Sequence, residues 1–282
     1  MCRFLGYLGT EPVALSALLD HHENSLVNQS RRARETQTGL NADGFGVGWY
    51  NRGIGPIPGL FKSTQPAWND ENLSSVAKTV SSRCFLGHVR ASTVGDVSSA
   101  NCHPFLFGNL LSAHNGTIAS FRQIQRDLCN LLHEEDYLLI RGQTDSEHLA
   151  ALISTQLRSI STPGLDHYQA AITEALSQVH ALQNARGVAP LVRANYMLTD
   201  GTELIALKYT SSEQQEAWSL YYSSFEHSSA HAIPRFHSTS KIGTGVVVAS
   251  EPLTESSEAW NKIPENHFLK IDANLTVSIE TL

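Results

Sequence analysis

The second residue of this sequence is a cysteine. Methionine is readily removed ahead of a small residue, and the chain would then begin with a residue carrying both a thiol and a free α-amine. The amine has an ordinary pKa of about 7.7–8.0 and is partly neutral near pH 7. It can accept the thiol proton directly or through water, which activates the sulfur as a nucleophile without a separate catalytic histidine. If Met1 stays in place, that base is an amide and the chemistry is lost. Cys2 alone would be an unremarkable second residue, but other residues along the chain change its meaning.

Arg90, in Gly87-His88-Val89-Arg90-Ala91-Ser92-Thr93, follows a β-prone run and carries the planar fork that grips a carboxylate. Asn115 and Gly116 end a second such run. A side-chain amide next to a glycine N–H can present two donors to one point, as an oxyanion hole requires. Asp145, in Gln143-Thr144-Asp145-Ser146-Glu147, can hold an ammonium group. Arginine for an α-carboxylate and aspartate for an α-ammonium together read the amino-acid end of glutamine or of a γ-glutamyl compound.

Other reactive residues have plainer readings. Cys84 and Cys129 lie in apolar runs and are expected to be buried, inert thiols. No C-x-x-C pair exists, which argues against zinc and against dithiol redox chemistry. His88, His103 and His114 are expected to play structural roles. His227, His231 and His237 fit no standard metal spacing and are read as part of a solvated loop, so no metal is expected. Asn41-Ala42-Asp43-Gly44 is either a simple tight turn or a wall of the pocket beside the thiol. Trp49 and Trp68 either stack on a cationic substrate or pack internally. Ser250 and Glu251 end a strand and are candidates to face the pocket.

The elements that must hold these residues are strands in the first half: residues 4–8, 44–50, 84–90 and 110–114. Residues 44–50 alternate glycine with large apolar residues, and interior glycines imply close approach of another backbone or a ligand. Helices are expected over 121–132, 145–157 and 165–182. Thr144 caps the second, with Glu147 three residues on. Asp200-Gly201 joins two β-prone runs as a hairpin. Further strands fall at 218–223, 245–249 and 267–271. Residues 51–70 and 226–241 read as loops. The pattern predicts one α+β domain over residues 2–282, with two packed, mainly antiparallel sheets and helices outside.

Composition narrows the function. A formal net charge of -7 offers no footprint for a phosphate backbone, so nucleic acid is not an expected partner. No apolar run approaches the roughly 20 residues that span a bilayer. The start MCRFLGYLGTEP has neither the basic region nor the apolar stretch of a signal peptide, so a cytoplasmic protein is expected.

The order Cys2, GHVRAST, AHNGTI and QTDSEHL resembles the class II glutamine amidotransferases, a branch of the N-terminal-nucleophile hydrolases. The motifs cover roughly residues 2–150, and VVVASEP extends the likeness toward residue 252. The resemblance implies a four-layer α/β/β/α sandwich. It implies Cys2 as nucleophile, Asn115 and Gly116 as oxyanion hole, and Arg90 and Asp145 on the glutamyl head group, with Thr93 in support. It implies no metal or organic cofactor. MCRFLGYLG, NADGFGVGW and the late VVVASEPLTESSEAWNKIPENHFLKI are similar to the ergothioneine-biosynthesis amidases, which act on γ-glutamyl hercynylcysteine sulfoxide. The chain stops soon after the glutaminase-like part, so the expectation is hydrolysis of a γ-glutamyl amide. The alternatives are another γ-glutamyl peptide, such as a glutathione-like compound, or ammonia supply to a separate synthetase. The expected partner is a small γ-glutamyl molecule, and the sequence is compatible with a homo-oligomer.

Overall fold

A computed structural model describes residues 2–35, 39–92, 95–226, 233–237 and 243–282. The chain runs β1 (Arg3–Ala14), α1 (Leu15–Leu19), α2 (Leu26–Arg32), β2 (Phe45–Trp49), β3 (Gly59–Ser63), α3 (Glu71–Thr79), β4 (Ser81–Val89), β5 (Phe105–Phe107), β6 (Leu110–Ile118), α4 (Phe121–Cys129), α5 (Glu134–Leu139), α6 (Asp145–Leu157), α7 (Leu165–Ala185), β7 (Val192–Thr199), β8 (Leu204–Thr210), β9 (Tyr221–Glu226), β10 (Arg235–His237), β11 (Gly245–Ala249), β12 (Asn261–Lys262), β13 (His267–Ile271) and β14 (Val277–Thr281).

Two sheets result. The first has the order β10-β9-β11-β1-β4-β2-β3, with β12 also on β9, and the second has the order β14-β13-β8-β7-β6-β5. Every described pairing is antiparallel. Three apolar layers separate the elements. Leu5, Tyr7, Phe85 and Val247 face α1–α3 on the outside of the first sheet. Phe4, Leu8, Leu86, Leu111, Ala113 and Met197 fill the space between the sheets. Ile118, Tyr196 and Leu198 meet α4, α6 and α7 on the far side. This is the expected α/β/β/α sandwich.

Local chemistry explains the elements that hold the site. In α7, Tyr168, Ala171, Ile172, Ala175, Leu176 and Val179 are buried at helical spacing, so one stripe seals the second sheet. Thr144 caps α6 by accepting from the Glu147 N–H at 3.2 Å. Asp200 closes the β7–β8 turn, its Oδ1 accepting from the N–H groups of Thr202 (2.7 Å) and Glu203 (2.9 Å). A side chain at Gly46 would strike the His103 carbonyl, so glycine on β2 does allow the close backbone approach that its sequence implies.

Three expectations change. Residues 51–70 contain strand β3 despite their glycines and prolines, because β2 offers them an edge to pair with. Residues 226–241 contain β10, paired to β9; His237 lies in it, whereas His227 and His231 fall outside the described residues. Cys84 is buried as expected, but Cys129 is only partly so, near the end of α4.

Candidate active site

Cys2 sits immediately before β1, the strand held between β4 and β11. Arg3 pairs with Val89, which brings Cys2 against the chain leaving β4. Its Sγ accepts from the Ala91 N–H at 3.3 Å and donates to the Ala91 carbonyl at 3.4 Å. Burial pushes the thiol pKa up, only partly offset by the Ala91 N–H and the charges of Arg90 and Arg3. The sulfur therefore stays protonated near neutral pH unless a base removes the proton.

Strand periodicity settles where the key side chains point. On β1, Phe4 and Leu8 face the gap between the sheets, and Cys2 follows the same parity. On β4, Leu86 faces that gap, so His88 does too. Arg90 continues the ladder, its N–H donating to the Gly44 carbonyl at 2.8 Å, and shares this parity. On β6, Leu111 and Ala113 face inward, so Asn115 does as well. Cys2, Arg90 and Asn115 thus converge on one seam from three strands of two sheets.

Asn115 is 1% exposed, and its Nδ2 is a buried donor with no hydrogen-bond partner among the described residues. At Gly116 any side chain would overlap the His114 ring and the Arg193 carbonyl, so only glycine fits. The pair lies inside β6, which runs on to Ile118, past the expected end of that strand at residue 114.

Asp145 is the first residue of α6. Its Oδ2 accepts from the Ile118 N–H at 2.8 Å, and its Oδ1 accepts from the Ser146 N–H at 2.9 Å. The carboxylate so ties α6 to the end of β6, two residues from Gly116, and retains lone pairs for an ammonium. Ser146 Oγ meets His114 Nδ1 at 2.8 Å. Burial lowers the His114 pKa against the pull of Asp145. Arg90, 3% exposed, donates from Nη1 to the Asp96 carbonyl (3.2 Å) and from Nη2 to Ser92 Oγ (3.0 Å). Thr93 lies outside the described residues.

The 41–44 turn is part of this assembly. The Asp43 N–H donates to the Arg90 carbonyl at 3.0 Å, and Asp43 Oδ2 accepts from the Ser92 N–H at 2.7 Å. The turn therefore braces the segment that holds the Cys2 sulfur. Behind Cys2 lies a feature the sequence reading missed. Arg3 Nε donates to Glu251 Oε1 at 2.7 Å, and Arg3 Nη1 donates to the Cys2 carbonyl at 2.9 Å. Glu251 also accepts from the N–H groups of Arg34 (2.9 Å) and Glu35 (3.0 Å). Burial alone would raise its pKa; Arg3 and these N–H donors outweigh it and hold the carboxylate below its ordinary value. The available signal was a charge embedded beside each of two apolar runs, Phe4-Leu5 and Val246-Val247-Val248.

Other candidates fall away. Trp49 packs on the outer face of the first sheet, turned away from the seam, and Trp68 lies under Arg31. His88 and His103 stack with ring centroids 4.1 Å apart, and burial drives both pKa values down, that of His88 to about 3. They are neutral packing groups at physiological pH. Among the described residues no cluster of His, Cys, Asp and Glu is built to hold a metal, and no helix is long and apolar enough to cross a membrane.

The family model described as "Glutamine amidotransferases class-II" matches residues 15–279. The chain belongs to the class II glutamine amidotransferase family. It is 34% identical to the probable glutamine amidotransferase DUG3 of Saccharomyces cerevisiae, over 96% of this chain and 82% of that protein. It is 28% identical to the γ-glutamyl-hercynylcysteine sulfoxide hydrolase of Mycobacterium tuberculosis, over 96% and 93% of the two chains. Among solved structures, a glutamine aminotransferase class-II domain protein from Silicibacter pomeroyi superposes over 99% of both chains, with a TM-score of 0.69 and 28% identity. The glutamine phosphoribosylpyrophosphate amidotransferase of B. subtilis shares the fold at a TM-score of 0.63, this chain matching 49% of its length. This member of the family is an enzyme of the amidohydrolase and amidotransferase type.

Proposed function

We propose that this amidotransferase-family enzyme hydrolyses a linear γ-glutamyl amide through a Cys2 thioester, after loss of Met1. The observation that carries the reading is the convergence of Cys2, Arg90 and Asn115 on one buried seam. The Cys2 α-amine takes the thiol proton, and the sulfur attacks the γ-carbonyl carbon. Asn115 Nδ2 and the Gly116 N–H receive the oxyanion. Arg90 grips the substrate α-carboxylate and Asp145 its α-ammonium, with Thr93 in support. The ammonium of Cys2 returns its proton to the leaving nitrogen as the C–N bond breaks. The same amine then takes a proton from water, hydroxide displaces the sulfur, and glutamate leaves.

The amine side of the substrate is proposed as hercynylcysteine sulfoxide. This is supported by relatives from two mycobacterial species carrying that hydrolase name at 26–28% identity across nearly the whole chain. The yeast relative at 34% identity, named a probable glutamine amidotransferase, favours a second reading in which glutamine is hydrolysed and ammonia passed to another protein. One assay separates them. Purified enzyme is given γ-glutamyl hercynylcysteine sulfoxide, glutathione and glutamine in turn, and glutamate release is measured. Turnover of the sulfoxide at least tenfold faster than the others, in kcat/KM, is expected. Faster turnover of glutathione would reassign the amine side, and turnover of glutamine alone would support the ammonia-supplying reading. No turnover of any of the three would overturn the hydrolase.

A further inference from the structure

We propose that Asn195 is a positioning residue for the oxyanion hole, with its Oδ1 accepting one hydrogen of Asn115 Nδ2 while the tetrahedral oxyanion takes the other. The proposal rests on the hydrolase reading given above.

Asn195 stands directly opposite Asn115 in the β6–β7 ladder. Met197, two residues on, faces the gap between the sheets, so Asn195 shares the seam with Asn115. Both asparagines are 1% exposed. Opposed residues on one face of such a ladder hold their Cβ atoms about 4.5–5.5 Å apart, within reach of two short amides.

The orientation of the Asn195 amide is fixed by chemistry. Its Nδ2 donates to the Trp218 carbonyl at 3.1 Å and to the Ser219 carbonyl at 2.8 Å. Two carbonyls can be served only by an NH2 group, so the remaining atom is the acceptor. That Oδ1 is buried without a partner, and so is the Asn115 Nδ2 across the rung. The bond between this donor and this acceptor is not formed in the structure; because the two residues are opposed on one rung, a turn of the Asn115 side chain toward its partner would form it and satisfy both. The Asn115 amide carries two hydrogens. Committing one to Asn195 aims the other at the incoming oxygen, so the donor need not reorient during the reaction.

The clamp also joins the two halves of the site. Ser219 Oγ donates to the Ser250 carbonyl at 2.9 Å. Ser250 Oγ in turn accepts from the Phe4 N–H at 3.1 Å. A short chain of bonds therefore runs from the strand pair of the oxyanion hole to the residue two places after the nucleophile. A role confined to bracing residues 218–219 would stabilise the fold and leave the chemistry indifferent to Asn115.

A double-mutant cycle decides between them. Asn115→Ala, Asn195→Leu and the double variant are assayed with a γ-glutamyl p-nitroanilide, and Cys2 is alkylated with iodoacetamide, a displacement that forms no oxyanion. Asn195→Leu should lower kcat about tenfold or more, with KM and the alkylation rate changed by no more than about twofold. The double variant should be no slower than Asn115→Ala alone. Asn195→Ala serves as a second variant with the same expectation if leucine prevents folding. Losses that multiply in the double variant, or an unchanged kcat, would overturn the proposal. A wild-type enzyme with no γ-glutamyl turnover would instead overturn the hydrolase reading beneath it.

Discussion

Arg3 and Glu251 form an ion pair at 2.7 Å, with side chains 2% and 0% exposed, and they are 248 residues apart in sequence. Desolvating two charges is costly, and removing one partner leaves the other buried and alone. Glu251→Gln should therefore destabilise the fold by about 3–5 kcal/mol, read as a lower Tm and denaturant midpoint. The Glu251 carboxylate is held below its ordinary value of 4.5. Its contribution to stability is complete above that value and is lost as pH falls through the lower folded value. Glu251→Gln should accordingly flatten the acid limb of the stability profile below about pH 4.5.

Buried histidines set a second, less acidic limb. Burial lowers His22 to about 4 and His88 to about 3, and holds His103 well below 6.5. The unfolded chain takes up these protons as pH falls below 6.5, whereas the folded protein resists until the lower values. Stability should thus decline from pH 6.5 toward pH 4, before most carboxylates titrate. Thermal melts across that range test the expectation, and His103→Leu should reduce their pH slope. A slope identical to that of the wild type would remove His103 from the account.

The proposed nucleophile and the proposed oxyanion hole predict separable losses. Cys2→Ala should abolish both turnover and the single mass adduct left by a diazo-ketone glutamine analogue. Asn115→Ala should lower kcat by roughly 10²- to 10³-fold, with KM changing much less. Intact-mass measurement of the wild type should show Met1 absent. Retained Met1 together with full activity would contradict the amine as base.

Arg90→Lys keeps the charge and loses the fork. KM for a γ-glutamyl substrate should rise roughly tenfold, with a smaller change in kcat. An unchanged KM would move the α-carboxylate contact to another residue.

Much of this architecture is legible in the sequence, and the exceptions share a cause. Helix α6 and strands β11 and β13 occupy the residues their patterns indicate, because cap and periodicity act within a few residues. Strand β3 is hidden by flanking glycines and prolines, and its identity comes from the β2 edge. The short helices α1 and α2 carry too few turns for a period to show. Cys2, Arg90, Asn115, Gly116 and Asp145 can be picked out by residue type and order. That the first three meet follows only from strand parity once the sheets are stacked. The Arg3–Glu251 pair and the Asn115–Asn195 rung join positions distant in sequence, which no local pattern encodes.

Strand β1 pairs on one side with β4 and on the other with β11, with Leu5 opposite Ala249. The ribosome makes β1 first, but its second neighbour, β11, emerges only some 240 residues later. Glu251, which anchors Arg3, follows two residues after Ala249. During synthesis Ala91, which meets the Cys2 sulfur, appears well before β11, whereas the far edge of β1 stays unpaired for most of the translation time. The order of manufacture therefore leaves the strand behind Cys2 open on one edge until nearly the whole polypeptide exists to close it.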